Sequence, residues 1–257
     1  VGDLESQIRA ADPPDIAMIP QPGLVADLVD GGHARPLGGE AQAALEANYT
    51  DQTRALGEVD GVATGVPYRL SLKSLVWSRP AVFDELGLTS PTTLGQLEEV
   101  AARLRQADIA PWCFGIEAQG ATGWVATDWT EDLVLRLAGA GAYDDWVVGA
   151  LPFADPAIAE AYSTFHELAL APGQSAGGVS AIVRTSTQDA AAELFADPVS
   201  CGMHRQANFA AEWLPSDLAV GPDGDVHYFV LPGVDADSEV PLLVGSTQAV
   251  AFTDDPG

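Results

Sequence analysis

The chain of 257 residues carries 37 acidic side chains against 11 basic ones, a formal charge of −26, and 47% of it is apolar. That length and apolar content suit one large domain or two lobes with sizeable cores, and exclude a disordered chain. The acidity excludes nucleic acid and anionic membrane as partners, because both need a cationic face.

Residues 1–10 read as the end of an amphipathic helix, Pro13-Pro14 interrupt it, and residues 16–19 (IAMI) read as a strand. No signal peptide is visible at the start, and no apolar run approaches the roughly 18 residues of a membrane span. Residues 39–57 carry one helical pattern, with the formal sequon Asn48-Tyr49-Thr50 inside it. Asp60-Gly61 predicts a turn, followed by strands at 62–68 and 72–77. Ser90-Pro91-Thr92-Thr93 opens a helix whose Leu94, Leu97, Val100 and Leu104 share one face. A strand is predicted at 112–116, then two or three helices over 128–171, broken at Gly139-Ala140-Gly141 and Asp155-Pro156. Further on, 186–196 reads as a helix, 201–203 and 227–231 as strands, and 233–239 as an acidic solvated loop. The apolar run 242–252 stops at Thr253-Asp254-Asp255-Pro256-Gly257, a helix-opening pattern, so an internal fragment cut at both ends is expected. The alternation of helical and strand patterns predicts an α/β chain, with mostly parallel strands and helices on both faces.

Several motifs bear on chemistry. Gly173-Gln174-Ser175-Ala176-Gly177 matches the nucleophile elbow of hydrolases, but a helical pattern precedes it and a β-branched run follows, the reverse of what an elbow needs. A flexible loop is the expectation there. Asp128 and Glu131 could be the paired carboxylates of a glycosidase, yet the same spacing reads more simply as a helix start with acidic caps. The four histidines are scattered without metal-site spacing, so no metal and no cofactor is expected. Cys113 and Cys201 leave two readings open, a disulfide in an exported protein or two buried thiols in a cytosolic one. Trp124 and Trp129 stand in a stretch rich in glycine and small residues, beside Asp128 and Thr127. Either they pack structurally, or their flat faces meet a sugar ring while the polar neighbours bond its hydroxyls.

Three blocks then carry a family resemblance. Gly65-Val66-Pro67-Tyr68 with Lys73-Ser74-Leu75-Val76-Trp77 and Leu86-Gly87-Leu88 resembles the crossover region of solute-binding proteins of ABC sugar importers. Pro111-Trp112-Cys113-Phe114-Gly115, then Trp124, Asp128, Trp129, Glu131 and Asp132, and later residues 201–209 (CGMHRQANF), resemble its α-glucoside-type branch. At Gly245-Ser246-Thr247-Gln248 the sequence departs from the family's glycine-richer run. The resemblance implies a two-lobed, type II periplasmic-binding-protein-like α/β fold with a hinge, truncated at both ends. Lobe I would comprise 1–72 plus 240–257, and lobe II 75–235. It further implies a monomeric extracytoplasmic receptor, periplasmic or lipid-anchored, that captures an oligosaccharide such as an α-glucoside and passes it to the transmembrane subunits of an ABC permease. It would not be an enzyme. Ligand contacts are expected from Gln21, Tyr68, Lys73, Trp77, Trp124, Asp128, Trp129, Arg205 and Gln206, with both indoles partly exposed. Export to an oxidising compartment implies a Cys113–Cys201 disulfide. The competing readings are a secreted carbohydrate-active hydrolase using Asp128 or Glu131, and a receptor for a non-sugar solute such as a peptide or polyol.

Overall fold

The structure, a computed structural model, describes residues 2–253. The helix-opening pattern at 254–257 lies outside the described residues. The chain divides into two compact units, one holding the residues up to Ser71 and those from Val244, the other Leu72–Leu243.

The first unit opens with helix α1 (Gly2–Arg9), strand β1 (Ile16–Ile19) and helix α2 (Pro22–Asp30), whose first-turn proline has no amide to leave unpaired. The single helix expected over 39–57 is two, α3 (Gly39–Asn48) and α4 (Asp51–Ala55). The break follows from a local cap: Tyr49 is extended, and the Thr50 side chain accepts from the Thr53 amide, satisfying a donor that continued helix would have paired elsewhere. A hairpin of β2 (Glu58–Val59) and β3 (Val62–Ala63) turns at Asp60-Gly61, with both residues at positive φ. Strand β4 (Gly65–Leu72) lies at one side of β9 (Val244–Ala251), and β1 lies at the other. The β1–β9 ladder is antiparallel, pairing Ile16 with Ala251 and Ile19 with Gln248. Ile19, Val25, Leu28, Val250 and Phe252 form this unit's core.

The second unit is built on a four-stranded sheet in the order β6-β7-β5-β8, with β5 (Leu75–Ser78), β6 (Ala110–Trp112), β7 (Cys201–Arg205) and β8 (His227–Val230). Strands β6 and β7 pair in parallel, whereas β5 is antiparallel to both β7 and β8. The expectation of mostly parallel pairing is therefore corrected: parallel pairing arises where helices carry the chain from β6 to β7, whereas β5 runs opposite to both its neighbours. Helix α5 (Pro80–Glu85) precedes α6 (Leu94–Gln106), which starts where predicted, the Thr93 hydroxyl accepting from the Gln96 amide. Between β6 and β7 come α7 (Trp124–Leu137), α8 (Gly139–Val147), α9 (Pro156–Phe165) with a further turn through Leu170, α10 (Gly178–Ile182) and α11 (Thr187–Ala192). The strand expected at 112–116 ends at Trp112, after which residues 113–116 run irregularly.

Cys113 and Cys201 form a disulfide, joining the end of β6 to the start of β7. The core beneath the helices is aromatic-rich, with Trp112, Phe114, Trp129 and Phe165 packed among Leu97, Leu104, Leu133 and Ile158. Ser175 is buried, and its hydroxyl donates to the Ala169 carbonyl while residue 175 bridges to Trp112. The segment 173–177 is thus an anchored connection, where a flexible loop had been expected. No described helix is long and apolar enough to cross a membrane.

Candidate functional site

The candidate site grows from the start of α7. Gly123 sits at φ 103, a left-handed conformation open to glycine, and this ends the preceding turn so that the helix begins at Trp124. The helix therefore starts one turn earlier than the acidic pattern suggested, and Asp128 is an interior residue where a cap had been read. Helical geometry then decides which side chains meet. Trp124, Asp128 and Asp132 recur every four residues and lie along one face, while Trp129, five residues after Trp124, points about 140° away from it.

On the first face, the Lys73 ammonium donates to Asp128 Oδ1 at 2.6 Å. The second oxygen of that carboxylate is buried and has no hydrogen-bond partner among the described residues. Burial pushes the Asp128 carboxyl above its ordinary value, and the positive charges of Lys73 and Arg205 pull against that rise. Trp124 is half-buried at the head of the face. Its ring is tilted against Phe209 at 6.0 Å, and Phe209 stands 5.2 Å from Trp213, giving a row of three rings. Asn208, exposed beside that row, accepts from the Leu72 amide. The face thus combines a partly buried indole that packs against the core, a cation and a buried carboxylate oxygen without a hydrogen-bond partner among the described residues.

Behind it lies a charged knot with no accessible surface. Asp132 Oδ1 meets Arg136 at 2.6 Å, and Asp132 Oδ2 meets Arg205 at 2.8 Å. The Ser74 hydroxyl donates to Asp132 Oδ1 at 2.9 Å. Glu131 accepts from the Tyr143 hydroxyl at 3.1 Å; burial and the nearby Asp128 charge raise its carboxyl. Asp128 and Glu131 are three residues apart on one helix, so they do not face each other across a substrate as a glycosidase pair does. Among the described residues no group of three or more His, Cys, Asp or Glu is placed to hold a metal ion.

Of the expected contact residues, Lys73, Trp124 and Asp128 come together. Four others are buried, which corrects the expectation of a partly exposed Trp129 indole. Trp129 is only 1% exposed, edge-on to Trp112 at 4.8 Å and beside Phe165, so it is core and offers no face to a ligand. Trp77 is buried, its indole N–H donating to the Gln206 carbonyl. Arg205 is buried in the knot, spending its charge on Asp132 and lying over the Trp129 ring. Gln206 is fully buried, and its side-chain oxygen accepts from the Ala207 amide. Gln21 and Tyr68 belong to the first unit: Gln21 is exposed ahead of α2, and Tyr68 is 74% exposed on β4. Phe209, Trp213 and Asn208 were missed as site residues. The clustering of Phe209 and Trp213 in the short segment after β7 was the signal that could have found the ring row.

The comparisons agree on what this chain is similar to. It is 37% identical, over 96% of its length and 56% of the relative's, to the alpha-glucosides-binding periplasmic protein AglE of Rhizobium meliloti (strain 1021). It is 38% identical, over 98% of its length and 60% of the relative's, to the osmoprotective compounds-binding protein GgtB of Synechocystis. The chain thus spans little more than half the length of these relatives. Among solved structures, a chitin oligosaccharide binding protein shares the fold with a TM-score of 0.80 at 20% identity, over 99% of this chain and 61% of that one. Residues 1–254 match throughout, and the chain belongs to the family of bacterial extracellular solute-binding proteins.

Proposed function

We propose that this chain is the ligand-gripping part of an extracytoplasmic receptor that captures an oligosaccharide, specifically an α-glucoside, for an ABC importer. The observation that carries the reading is the α7 face. A half-buried Trp124 leads a row of rings and shares its helix face with the Lys73–Asp128 pair, whose second carboxylate oxygen is buried without a hydrogen-bond partner among the described residues. An indole gives the C–H face of a sugar an apolar surface, and the pair offers one acceptor and several donors to its hydroxyls. The similarity to an alpha-glucosides-binding protein supports the same ligand class. In this reading the receptor is monomeric, works outside the cytoplasm and hands its ligand to the permease subunits without chemistry.

A second reading rests on the equally similar osmoprotective compounds-binding protein, and makes the ligand a small compatible solute. Calorimetric titration of the whole protein with maltose, trehalose, sucrose and a polyol such as glycerol separates the two. Tight binding confined to the glucosides supports the first, and binding confined to the small polyol overturns it. Asp128→Asn should lower glucoside affinity less than loss of the indole does, but reorder the preference among glucosides, because it alters hydroxyl bonding and leaves stacking intact.

A further inference from the structure

Asp132 shares the α7 face of Trp124 and Asp128 but is wholly buried, and the polar contacts of the face lead back to it. Its carboxylate accepts from Ser74, Arg136 and Arg205. The Ser74 hydroxyl also accepts from the Leu243 amide at 2.8 Å, and the Lys73 amide donates to the Leu243 carbonyl at 2.8 Å. Arg136 reaches the carbonyls of Leu231 and Pro241, and Arg205 bonds the Asp128 carbonyl. One side chain therefore gathers residues 73–74, where the chain enters the second unit, residues 241–243, where it leaves, and the helix that carries Trp124 and Asp128.

The geometry is a two-point attachment. Asp128 and Asp132 stand one turn apart on α7, the first holding the Lys73 side chain and the second the Ser74 hydroxyl of the next residue. A lysine has a long flexible stem, and its ammonium finds one place only if its backbone is fixed. Buried ion triads add little stability over apolar packing of the same volume, so positional definition is what such a knot supplies.

We propose that Asp132, acting through Ser74, is a positioning residue of the ligand site that fixes Lys73 against Asp128. The inference rests on the sugar-receptor reading. The test uses the whole protein and the tightest glucoside of the panel. Ser74→Ala removes the bridging hydroxyl while leaving the ion pairs intact, and should weaken binding about fivefold to tenfold. Asp132→Asn should weaken it at least as much in the protein that folds. Should it not fold, Ser74→Ala carries the test alone. In a Lys73→Met background the Ser74→Ala effect on affinity should vanish, because the two act through the same ammonium. A purely structural role forecasts a lower melting temperature with unchanged affinity in both backgrounds, and that result overturns the inference. Wild-type protein that binds no sugar overturns the receptor reading and this inference with it. Wild-type binding that Ser74→Ala leaves intact overturns the inference alone.

Discussion

Replacing Trp129 by Ala tests whether the buried indole has been assigned correctly. The ring is edge-on to Trp112 at 4.8 Å, lies 5.8 Å from Phe165 and 6.4 Å from Phe114, and sits under the Arg205 guanidinium at 5.3 Å. Removing a fully buried aromatic side chain costs about 3–5 kcal/mol in lost transfer energy and cavity. Each well-oriented ring pair adds about 0.5–1.5 kcal/mol, and the cation over the face up to about 2 kcal/mol. These terms overlap, so roughly 4–6 kcal/mol is expected, which for a unit of this size lowers the melting temperature by about 10–20 °C. On the proposed sugar-receptor reading, the protein that remains folded should bind a glucoside with near-normal affinity, because the ring is only 1% exposed. Calorimetric unfolding and titration on the same preparation measure both quantities. A variant that melts normally but binds weakly would refute the assignment, and would return Trp129 to the ligand.

Trp124→Ala should behave in the opposite way, losing about 1–3 kcal/mol of binding while the melting temperature falls by less than for Trp129→Ala, since the ring is only partly buried; titration beside thermal unfolding checks it. The Cys113–Cys201 disulfide closes a separation of 88 residues, and its removal by paired Ala substitution should cost up to about 4 kcal/mol, read by denaturant unfolding. His204 is buried, with Nδ1 at 2.8 Å from the Cys113 carbonyl, and burial lowers its imidazolium pKa from 6.5 to about 4. Its contribution is therefore fully present above pH 6.5 and is lost as pH falls toward 4, because the unfolded chain takes up the proton first. Denaturant titrations across that window should show about one proton's worth of slope, and His204→Asn should remove it. An unchanged slope in that variant would assign the acid sensitivity elsewhere.

The parts of the fold that were legible in the sequence are those set by local chemistry. Thr93 caps α6 through its own hydroxyl, and four apolar residues recur on one face behind it, so start, end and buried side all followed from neighbours in the chain. The direction of β5 was not legible, because its partners β7 and β8 come far later in the chain. In the site, Trp124 and Asp128 were read together and do share a face. Trp129 was misjudged through the same small-residue context: placing the helix start at Asp128 hid the angle between the indoles, which a start at Trp124 makes plain. Arg205 was misjudged for another reason. It is neutralised by Asp132, 73 positions earlier, and no local pattern announces a partner at that distance.

The bond between Cys113 and Cys201 also changes the topology of the second unit. Helices α7 to α11 all lie between its two ends, so they hang on a covalent ring instead of an open thread. The surface segment around Val147, Val148 and Phe153 belongs to that ring and is exposed, which makes it the natural place for a protease to cut. A single cut there opens the ring without releasing a piece: both halves stay tethered at the edge of the sheet. On the extracytoplasmic reading proposed above, such a nick is one the second unit can survive in one covalent piece.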